Sequence, residues 1–469
     1  MTLDSPTPHE ASTDTAAATQ WLESHDIAWV KTEGISIDGL VIGKHLSTRK
    51  FVSALPLGNA ITEFVIGYDI GGTPFLVWWD EWRREALGDF HQRPDLSTLV
   101  VAPDRPHTAN VICDIVDLDG NPIPACSRSK LREVTDRLAT HGLTAKASFE
   151  IEVILYEESY KQARASQWRD LTPMAHSAPL GYLHFNSRQQ LRFVDEVLRR
   201  LDGLGVPIEA WHDEAAPGQF ELNIDPSDPV TACDRVVRIK QVLREVALDQ
   251  GCSVTFMAKP SPEFGNGLHV HHSLARDGNP VFYAPDGEGM SDVTRYWIGG
   301  LVATMPAAMS IFCPNVNSFR RVVGFAAAPT VASWGEDDKS AAVRVLSRSP
   351  KAARIENRVA GGDANPYLVL AAVLAGGIAG IEQSIEPPAA QNVAGWGLPA
   401  GFPHLPNTIS KAADAMASDV VLHSVLGAGF CEYWVNTRRW EWLMFHTTGG
   451  DPMATSVTQW ELDRLFEIV

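Results

Sequence analysis

The segment ASFEIEVILYEE, residues 147–158, predicts a β-strand because apolar side chains recur at every second position. The same alternation puts Glu150 and Glu152 on one face of that strand, since every second side chain points the same way. Two ionised carboxylates side by side repel each other, and their burial costs hydration free energy. The strand therefore raises the question of which group, facing the pair, offsets its charge.

The bulk composition restricts the class of protein. The chain has 469 residues, 45% hydrophobic and 20% charged, which is typical of a soluble globular protein with about two or three domains. Its net charge of −18 argues against a nucleic acid partner, because phosphate binding needs a basic face. The same charge favours metal cations and positively charged amines.

The cysteines and the start of the chain predict a cytoplasmic location. The six cysteines show no CxxC pair and no regular spacing, so we expect them to be reduced and mostly buried. No basic start followed by an apolar run marks a signal peptide. The apolar run at 368–381 is too short to span a bilayer, so it predicts a core helix and no membrane contact.

The pattern along the chain predicts two domains after a flexible N-terminus. Residues 1–18 are small and polar, and β-rich pieces separated by turns predict a sheet domain over 19–125. Pro122 and Pro124 mark the boundary, and helices and strands follow over 126–469. Apolar periodicity predicts the following elements: strands at 61–70, 74–82, 98–103, 110–123, 148–156, 219–224 and 268–274, and helices at 191–201 and 230–250. Ser187 and Gln190 predict a capping box before the first of these helices.

Acidic and histidine side chains concentrate on the later strands. The group comprises Glu150, Glu152, Glu214, Glu221, His269, His271 and Glu356. Carboxylates with one or two imidazoles suit Mg²⁺ or Mn²⁺, whereas zinc usually takes more Cys or His. So many carboxylates predict two or three ions, which together could clamp phosphoryl oxygens. Each piece alone also has an ordinary explanation: a solvated strand face, a polar strand or a surface ladder of ion pairs.

The order and spacing of seven stretches resemble the class I glutamine synthetase family. The stretches are EIE at 150–152, EAAPGQFE at 214–221, FMAKP at 256–260, GNGLHVHHSL at 265–274, PNVNSFRR at 314–321, KSAAVR at 339–344 and ARIENRVAGGDANPYLVLAA at 353–372. The resemblance implies an α+β fold, with an N-terminal β-grasp-like domain and a C-terminal catalytic α/β barrel. It also implies a dodecamer of two stacked hexameric rings, whose active sites are shared between neighbouring subunits.

The resemblance also implies roles for residues at matching positions. One metal site is carried over to Glu152, Glu214 and Glu221, and the other to Glu150, His269 and Glu356. The ATP contacts are carried over to His271 and Ser273 for the nucleotide and to Arg344, Arg354 and Lys339 around the transferred phosphate. Glutamate binding is carried over to Gly265, Arg321 and Arg358. The implied cations would neutralise the carboxylate pair on the first strand, while Lys339 departs from the family's usual Arg.

Two departures concern the nitrogen donor. Ammonia-using members carry a flap Glu that takes a proton from ammonium, and Ala327 stands at that position here. They also carry an Asp-Gly-Ser-Ser stretch, and here YDIGGTP keeps Asp69 but has Gly71 and Gly72 at the serine positions. Without the flap carboxylate, ammonium loses its expected base and the site gains space. We therefore expect an organic amine, with Asp69 of a neighbouring subunit as one candidate base among open alternatives.

The prediction is an ATP-dependent ligase that joins the γ-carboxylate of glutamate to an amine through γ-glutamyl phosphate. The amine could be a small monoamine such as ethanolamine or an alkylamine, an aromatic amine or a polyamine. Trp78, Trp79 and Trp82 either line its pocket through cation–π contacts or belong to the core or a subunit interface. The alternatives are an ammonia-dependent glutamine synthetase with an altered flap and a non-catalytic relative, although all six matching metal ligands are present.

Overall fold

The chain has a mixed helix and sheet fold with two sheets, as the sequence predicts. The computed structural model describes residues 15–75, 88–175, 181–262, 265–284, 289–322, 328–391, 401–451 and 453–469. The predictions made for Trp78, Trp79, Trp82 and Ala327 lie outside these described residues. All six cysteines are unpaired and buried, which confirms the expectation from their spacing.

The first sheet has seven strands and packs against two short helices. Its strands are β1 (Trp29–Ile35), β2 (Val41–Ile42), β3 (His45–Ser47), β4 (Asn59–Thr62), β5 (Asp89–Pro94), β6 (Val100–Val101) and β7 (Thr108–Val116). The helices are α1 (Thr15–Ser24) and α2 (Thr48–Ala54). β1 and β7 pair in parallel, while their other neighbours are antiparallel. A parallel pair between antiparallel neighbours fits the expected β-grasp-like domain.

Local hydrogen bonds end two of these strands earlier than apolar alternation predicts. The predicted strand 61–70 stops at Thr62, whose hydroxyl accepts from the backbone N–H of Phe64 and starts a helical turn. The predicted strand 110–123 stops at Val116, because the Asp117 carboxylate accepts from the backbone of Asn121 in a turn. Side chains that bond their own backbone compete with the strand ladder, and the hydrophobic period does not record them.

The second sheet has nine strands, and it carries the side chains that the sequence singled out. Its strands are β8 (Thr144–Tyr156), β9 (Ile208–Asp213), β10 (Gln219–Ile224), β11 (Ser253–Thr255), β12 (Leu268–Arg276), β13 (Asn279–Pro280), β14 (Trp334–Glu336), β15 (Val343–Leu346) and β16 (Arg354–Asn357). The main path runs β14-β15-β16-β12-β8-β10-β9, and over the described residues it is open at both ends. Every pairing along this path is antiparallel except the β14–β15 pairing.

Ten helices lie in this part of the described chain, and several of them pack against strands of this sheet. They are α3 (Ser127–Thr140), α4 (Tyr160–Ala165), α5 (His184–Gly203), α6 (Pro229–Gln250), α7 (Asp292–Phe312), α8 (Pro366–Gln383), α9 (Ile409–Ser418), α10 (Val420–Leu426), α11 (Ala428–Thr447) and α12 (Gln459–Leu465). Only α8, among the helices of the described ranges, is long and apolar enough by composition to cross a membrane. Because 83% of it is buried inside the protein, α8 is the predicted core helix.

One of the two predicted helix starts is right, and the other is wrong. α6 begins at Pro229 and ends at Gln250, and the Asp228 carboxylate caps it by accepting from the backbone N–H of Thr231. The predicted capping box before the other helix is wrong, because α5 begins one turn earlier, at His184, and Leu183 in front of it makes no side-chain cap bond. The first turn is held instead by a buried contact between the amide of Asn186 and the carboxylate of Asp213 on β9.

One buried apolar cluster contains side chains from both sheets. It includes Ile115 on β7 and Ile151 on β8. The predicted domain boundary at residue 125 lies between the end of β7 and the start of α3. The boundary itself stays a prediction.

Candidate active site

The strand register of the second sheet brings the predicted acidic and histidine side chains together. Glu150 lies opposite His269 on β12, and Glu152 lies opposite Glu221 on β10. β12 in turn places His271 opposite Glu356 on β16. Because side chains alternate between the two faces of a sheet, groups far apart in the sequence meet on one face.

Glu150 is the centre of the first part of the cluster. Its two carboxylate oxygens lie 2.9 Å from Nδ1 of His269 and 2.8 Å from Nε2 of His271. Burial acts to raise the pKa of Glu150, but the hydrogen bonds from both imidazoles outweigh it and hold that pKa far below its usual range. Burial and the Arg358 charge act to lower the pKa of His269, but Glu150 and Glu152 raise it overall. The neighbouring carboxylates thus favour the protonated form of the His269 imidazole.

The second part of the cluster contains a histidine that the sequence analysis missed. His212 on β9 has its Nε2 3.1 Å from Oε1 of Glu221 and its Nδ1 3.8 Å from Oε1 of Glu214. Burial acts to lower the pKa of His212, but the hydrogen bond with Glu221 raises it to about 9. Burial and the charge of Glu152 raise the pKa of Glu214. His212 and Glu214 are two residues apart, so the spacing that drew attention to Glu150 and Glu152 was also present here.

The donor atoms of this cluster fit divalent cations. Three groups have ligand atoms within 4.8 Å of one another: Glu150 with His271 and Glu356, Glu150 with Glu221 and His269, and His212 with Glu214 and Glu221. Nε2 of His269 is buried without a hydrogen-bond partner, so it has a nitrogen available for a ligand. The structure thus gathers the predicted ligands, while their division into two trios stays a prediction.

Glu152 stands next to these groups with one oxygen engaged. Its Oε2 accepts from the backbone N–H of Gly267 at 2.6 Å and from the amide of Gln219 at 3.2 Å. Its Oε1 lies 3.8 Å from Nε2 of His269. A Cβ on Gly267 would fall 3.0 Å from that nitrogen, 3.1 Å from Oε1 of Glu152 and 2.7 Å from Nη2 of Arg321. The missing side chain of Gly267 therefore leaves a cradle in which a carboxylate oxygen, an imidazole nitrogen and a guanidinium converge.

Arginines border the acidic cluster on the β15–β16 side. Glu356 has no exposed surface and accepts hydrogen bonds from Arg344 at 3.0 Å and from Arg358. Burial acts to raise the pKa of Glu356, but the charge of Arg358 outweighs it and lowers the pKa. Arg344 also donates to Asp337, a partner that the sequence analysis missed, and Lys339 is exposed. Cations and carboxylates thus alternate where the resemblance implied phosphate contacts.

A cavity of about 460 Å³ opens beside this cluster. The predicted nucleotide residues His271 and Ser273 line it together with Arg354, whose Nε donates to Nδ1 of His271 at 3.2 Å. Lys146 and Lys351 add two cations to its wall. A cavity of this size with several cations suits an anionic ligand as large as a nucleotide.

The residues expected to hold glutamate lie close to the cradle above Gly267. Arg321 is only 4% exposed, and its Nη1 donates to the carbonyl of Val359 at 2.9 Å. The carbonyl of Gly265 accepts from the amide of Gln219 at 3.1 Å, and a Cβ on Gly265 would lie 1.9 Å from the carbonyl of Ala258. A side chain at position 265 would therefore clash with the backbone of Ala258, so this position requires glycine.

Asp69 lies in a tight turn and is fully hydrogen-bonded within its own subunit. One of its oxygens accepts from the backbone N–H of Gly71 at 2.9 Å and of Thr73 at 2.8 Å, and the other accepts from Nε1 of Trp440 at 3.0 Å. The guanidinium of Arg464 adds a charge at 3.4 Å. A Cβ on Gly71 would fall 1.9 Å from Nη1 of Arg464, so a side chain at this position would require the guanidinium to shift. The role of Asp69 as a base in a neighbouring site stays a prediction.

Comparison with known proteins agrees with this architecture. Residues 124–465 match the catalytic domain of glutamine synthetase. The chain is 32% identical over 461 residues to a glutamate–isopropylamine ligase of Pseudomonas sp, covering 96% of this chain and 97% of the relative. It is 33% identical over 438 residues to a gamma-glutamylethanolamide synthetase of Streptomyces coelicolor, covering 92% and 91%. A solved structure of a GmaS/ADP complex superposes with a TM-score of 0.80 at 25% identity, covering 96% of this chain and 98% of the other.

The fold and the site define an ATP-dependent carbon–nitrogen ligase. The chain belongs to the glutamine synthetase family. This family uses ATP and divalent metal ions, and the chain's relatives include γ-glutamyl-amide ligases. The resemblance found from the seven sequence stretches is confirmed.

Proposed function

We propose that this protein joins the γ-carboxylate of glutamate to an organic amine and hydrolyses ATP to ADP and phosphate in the process. The observation that carries the proposal is the acidic and imidazole cluster around Glu150, which borders a cation-lined cavity of nucleotide size. Relatives that act on isopropylamine, ethanolamine and aniline support an organic amine as acceptor.

The chemistry requires activation of the acid. A carboxylate does not condense with an amine at neutral pH, so the γ-carboxylate first attacks the terminal phosphorus of ATP and ADP leaves. The amine then attacks the acyl carbon of γ-glutamyl phosphate, phosphate leaves, and an amide bond remains after the amine loses a proton. Arg344 and Arg354 would offset the negative charge on the transferred phosphoryl group.

The protein groups divide into three sets in this proposal. Two or three divalent ions would be held by Glu150, Glu152, Glu214, Glu221, His269 and Glu356. When bound, Mg²⁺ or Mn²⁺ would withdraw negative charge from the phosphoryl oxygens. The nucleotide would contact His271, Ser273, Lys339 and Arg344, and glutamate would contact Gly265, Arg321 and Arg358.

The acceptor site is proposed to exclude ammonium as the main substrate. Ala327 in place of the flap Glu removes a carboxylate that would hold and deprotonate ammonium. A carbon skeleton on the amine supplies binding free energy of its own. We also propose a cytoplasmic dodecamer with shared active sites, in which Asp69 of the neighbouring subunit is the candidate base.

An amine panel tests the function. Protein, glutamate, ATP and Mg²⁺ are incubated with ammonium or with isopropylamine, ethanolamine, aniline or putrescine, and phosphate and the γ-glutamyl amide are measured. We expect both products with at least one organic amine and little phosphate with ammonium. Phosphate release with ammonium alone would identify the protein as a glutamine synthetase. No phosphate release with any acceptor would identify it as a non-catalytic relative.

Glu152→Ala tests the metal site in the same assay. Because Oε1 of Glu152 faces the cradle above Gly267, the variant should lose at least about 100-fold in phosphate release. Glu133→Ala is the matched control, since its side chain is 58% exposed and pairs only with Lys130 on α3 among its described contacts. Retained turnover in Glu152→Ala would remove this carboxylate from the proposed metal site.

A further inference from the structure

The C-terminal helix α12 carries a buried carboxylate that contacts the PNVNSFRR segment. Glu461 has no exposed surface. Its Oε1 accepts from Nε of Arg320 at 2.6 Å and from the amide of Asn317 at 3.0 Å, and its Oε2 accepts from Nη2 of Arg320 at 2.9 Å. A two-point guanidinium grip fixes direction as well as distance, and it is stronger than a neutral hydrogen bond.

The same carboxylate closes the start of α12. The backbone N–H and the hydroxyl of Thr458 both donate to Oε2 of Glu461 at 2.8 Å, which completes a capping box. Arg320 also donates to the carbonyl of Ala454 at 2.9 Å. The helix start and the 317–320 turn are therefore one hydrogen-bonded unit, although more than 100 residues separate them in the sequence.

Asn317 extends this unit to the loop that leads to Gly265. Its side-chain oxygen Oδ1 accepts from the backbone N–H of Lys259 at 2.8 Å, and its side-chain nitrogen Nδ2 donates to the backbone carbonyl of Lys259 at 2.9 Å. The neighbouring carbonyl of Ala258 accepts from the backbone N–H of Asn266 at 3.0 Å. The helix α12, the 317–320 turn and the loop before Gly265 thus meet at a single buried side chain, the amide of Asn317.

Arg321 follows directly after this unit and points into the cradle. Its Nη1 is fixed on the carbonyl of Val359, and its Nη2 reaches the space above Gly267 next to Glu152. A shift of the 317–320 turn would move this guanidinium relative to the acidic cluster. Displacements of about 1 Å are enough to weaken a substrate grip considerably.

We propose that Glu461 is a positioning residue for the acid substrate. Through Arg320 and Asn317 it holds the turn before Arg321 at a fixed separation from the loop before Gly265, so that the Arg321 guanidinium meets the substrate carboxylate. This inference rests on the proposed function, because it takes glutamate as the molecule that Arg321 grips.

Glu461→Gln tests the proposal, since it keeps the size of the side chain and removes the charge that Arg320 requires. Steady-state kinetics should show the KM for glutamate raised about tenfold, with the KM for ATP changed less than about twofold. Thr458→Ala is the first control, because it removes a helix-cap bond and leaves the pairing with Arg320 intact. Glu467→Gln is the second, because this carboxylate pairs with Arg164 on the surface. Both controls should keep the wild-type KM for glutamate.

Arg320→Lys covers the case in which Glu461→Gln does not fold, because it keeps a cation but loses the two-point grip. An unchanged glutamate KM in the variants that fold, or an equal rise in Thr458→Ala, would overturn the proposal. The amine panel on the wild-type protein separates this result from a failure of the proposed function. If no amine is turned over, the glutamate affinities of the wild type and the variants are measured by calorimetry. Equal affinities would overturn the inference.

Discussion

Glu150 and Glu152 point the same way from one strand, yet they have separate sets of partners. Glu150 contacts two imidazoles, whereas Glu152 accepts from a backbone N–H and from the amide of Gln219. Hydrogen-bond donors therefore offset both charges before any cation binds. The sequence predicted that the pair needs a partner, and only the register of β8 with its neighbours selected these donors.

The raised pKa of His269 predicts a pH-dependent metal affinity. A metal needs the neutral imidazole, so wherever His269 is protonated binding must displace that proton, and the raised pKa extends this range to higher pH. The affinity for Mn²⁺ should therefore rise with pH, by about tenfold per unit for one displaced proton, and level off above the pKa of His269. Calorimetry between pH 6 and pH 9 measures this slope; His141→Gln on the surface should keep it, and His269→Gln should make it shallower, with the remainder due to His212, whose pKa is about 9. A pH-independent affinity in the wild type would contradict the assignment.

Gly267→Ala tests the cradle. The added methyl would meet side-chain atoms of Arg321, His269 and Glu152 at 2.7, 3.0 and 3.1 Å, so these groups must move apart. We expect a soluble, folded variant with metal and glutamate affinities reduced by about tenfold or more. Gly429→Ala on α11 is the control, because its added methyl would meet nothing within 4 Å. Full affinity in Gly267→Ala would show that the cradle is not part of the site.

At the scale of elements, the strands of the second sheet were predicted best. The prediction for 219–224 matches β10, and the predictions for 148–156 and 268–274 fall inside β8 and β12. These strands are long, apolar on the core side and pinned by neighbours on both sides. In the first sheet, β4 and β7 end at turns made by local side-chain bonds, which the hydrophobic period does not record.

The capping carboxylate of α6 predicts a modest loss of stability on substitution. Asp228→Ala removes the acceptor for the backbone N–H of Thr231, which should lower the free energy of unfolding by about 1 kcal/mol. Asp228→Asn should stay close to wild type, since an amide oxygen caps nearly as well. Urea unfolding followed by circular dichroism compares the two. Equal losses in both variants would place the effect in the charge instead of the cap.

On the scale of the whole molecule, one buried arginine connects the first sheet to helix α6. Arg128 on α3 makes a two-point bond to Asp234 on α6, at 2.9 and 2.8 Å. It also donates to Asp114 on β7 and to Asp95 after β5. Burial acts to raise the pKa of Asp95, but the charge of Arg128 lowers it overall. The ion cluster therefore lies where the first sheet meets helices α3 and α6.

Arg128→Met should destabilise the whole protein. It would remove the two-point bond to Asp234 and one of the two cations at Asp95 and Asp114, where Arg132 remains, at a cost of about 3–5 kcal/mol in this buried position. Arg137→Met, which removes a partly exposed ion pair with Glu382, should cost less than about 1 kcal/mol. Denaturant midpoints of both variants measure the difference. A loss for Arg128→Met no larger than for Arg137→Met would mean that the cluster contributes little to the junction.

The sequence by itself determined the family, the residue types of the acidic and imidazole cluster and the main strands of the second sheet, because these follow from local periodicity and from residue chemistry. Only the tertiary structure decided which of these side chains contact one another, that His212 lies among them, and that the Arg464 guanidinium lies against Gly71. It also decided that Glu461 contacts Arg320 across more than 100 residues. The physical reason is that such contacts depend on strand register and helix packing, which no local pattern of residues specifies.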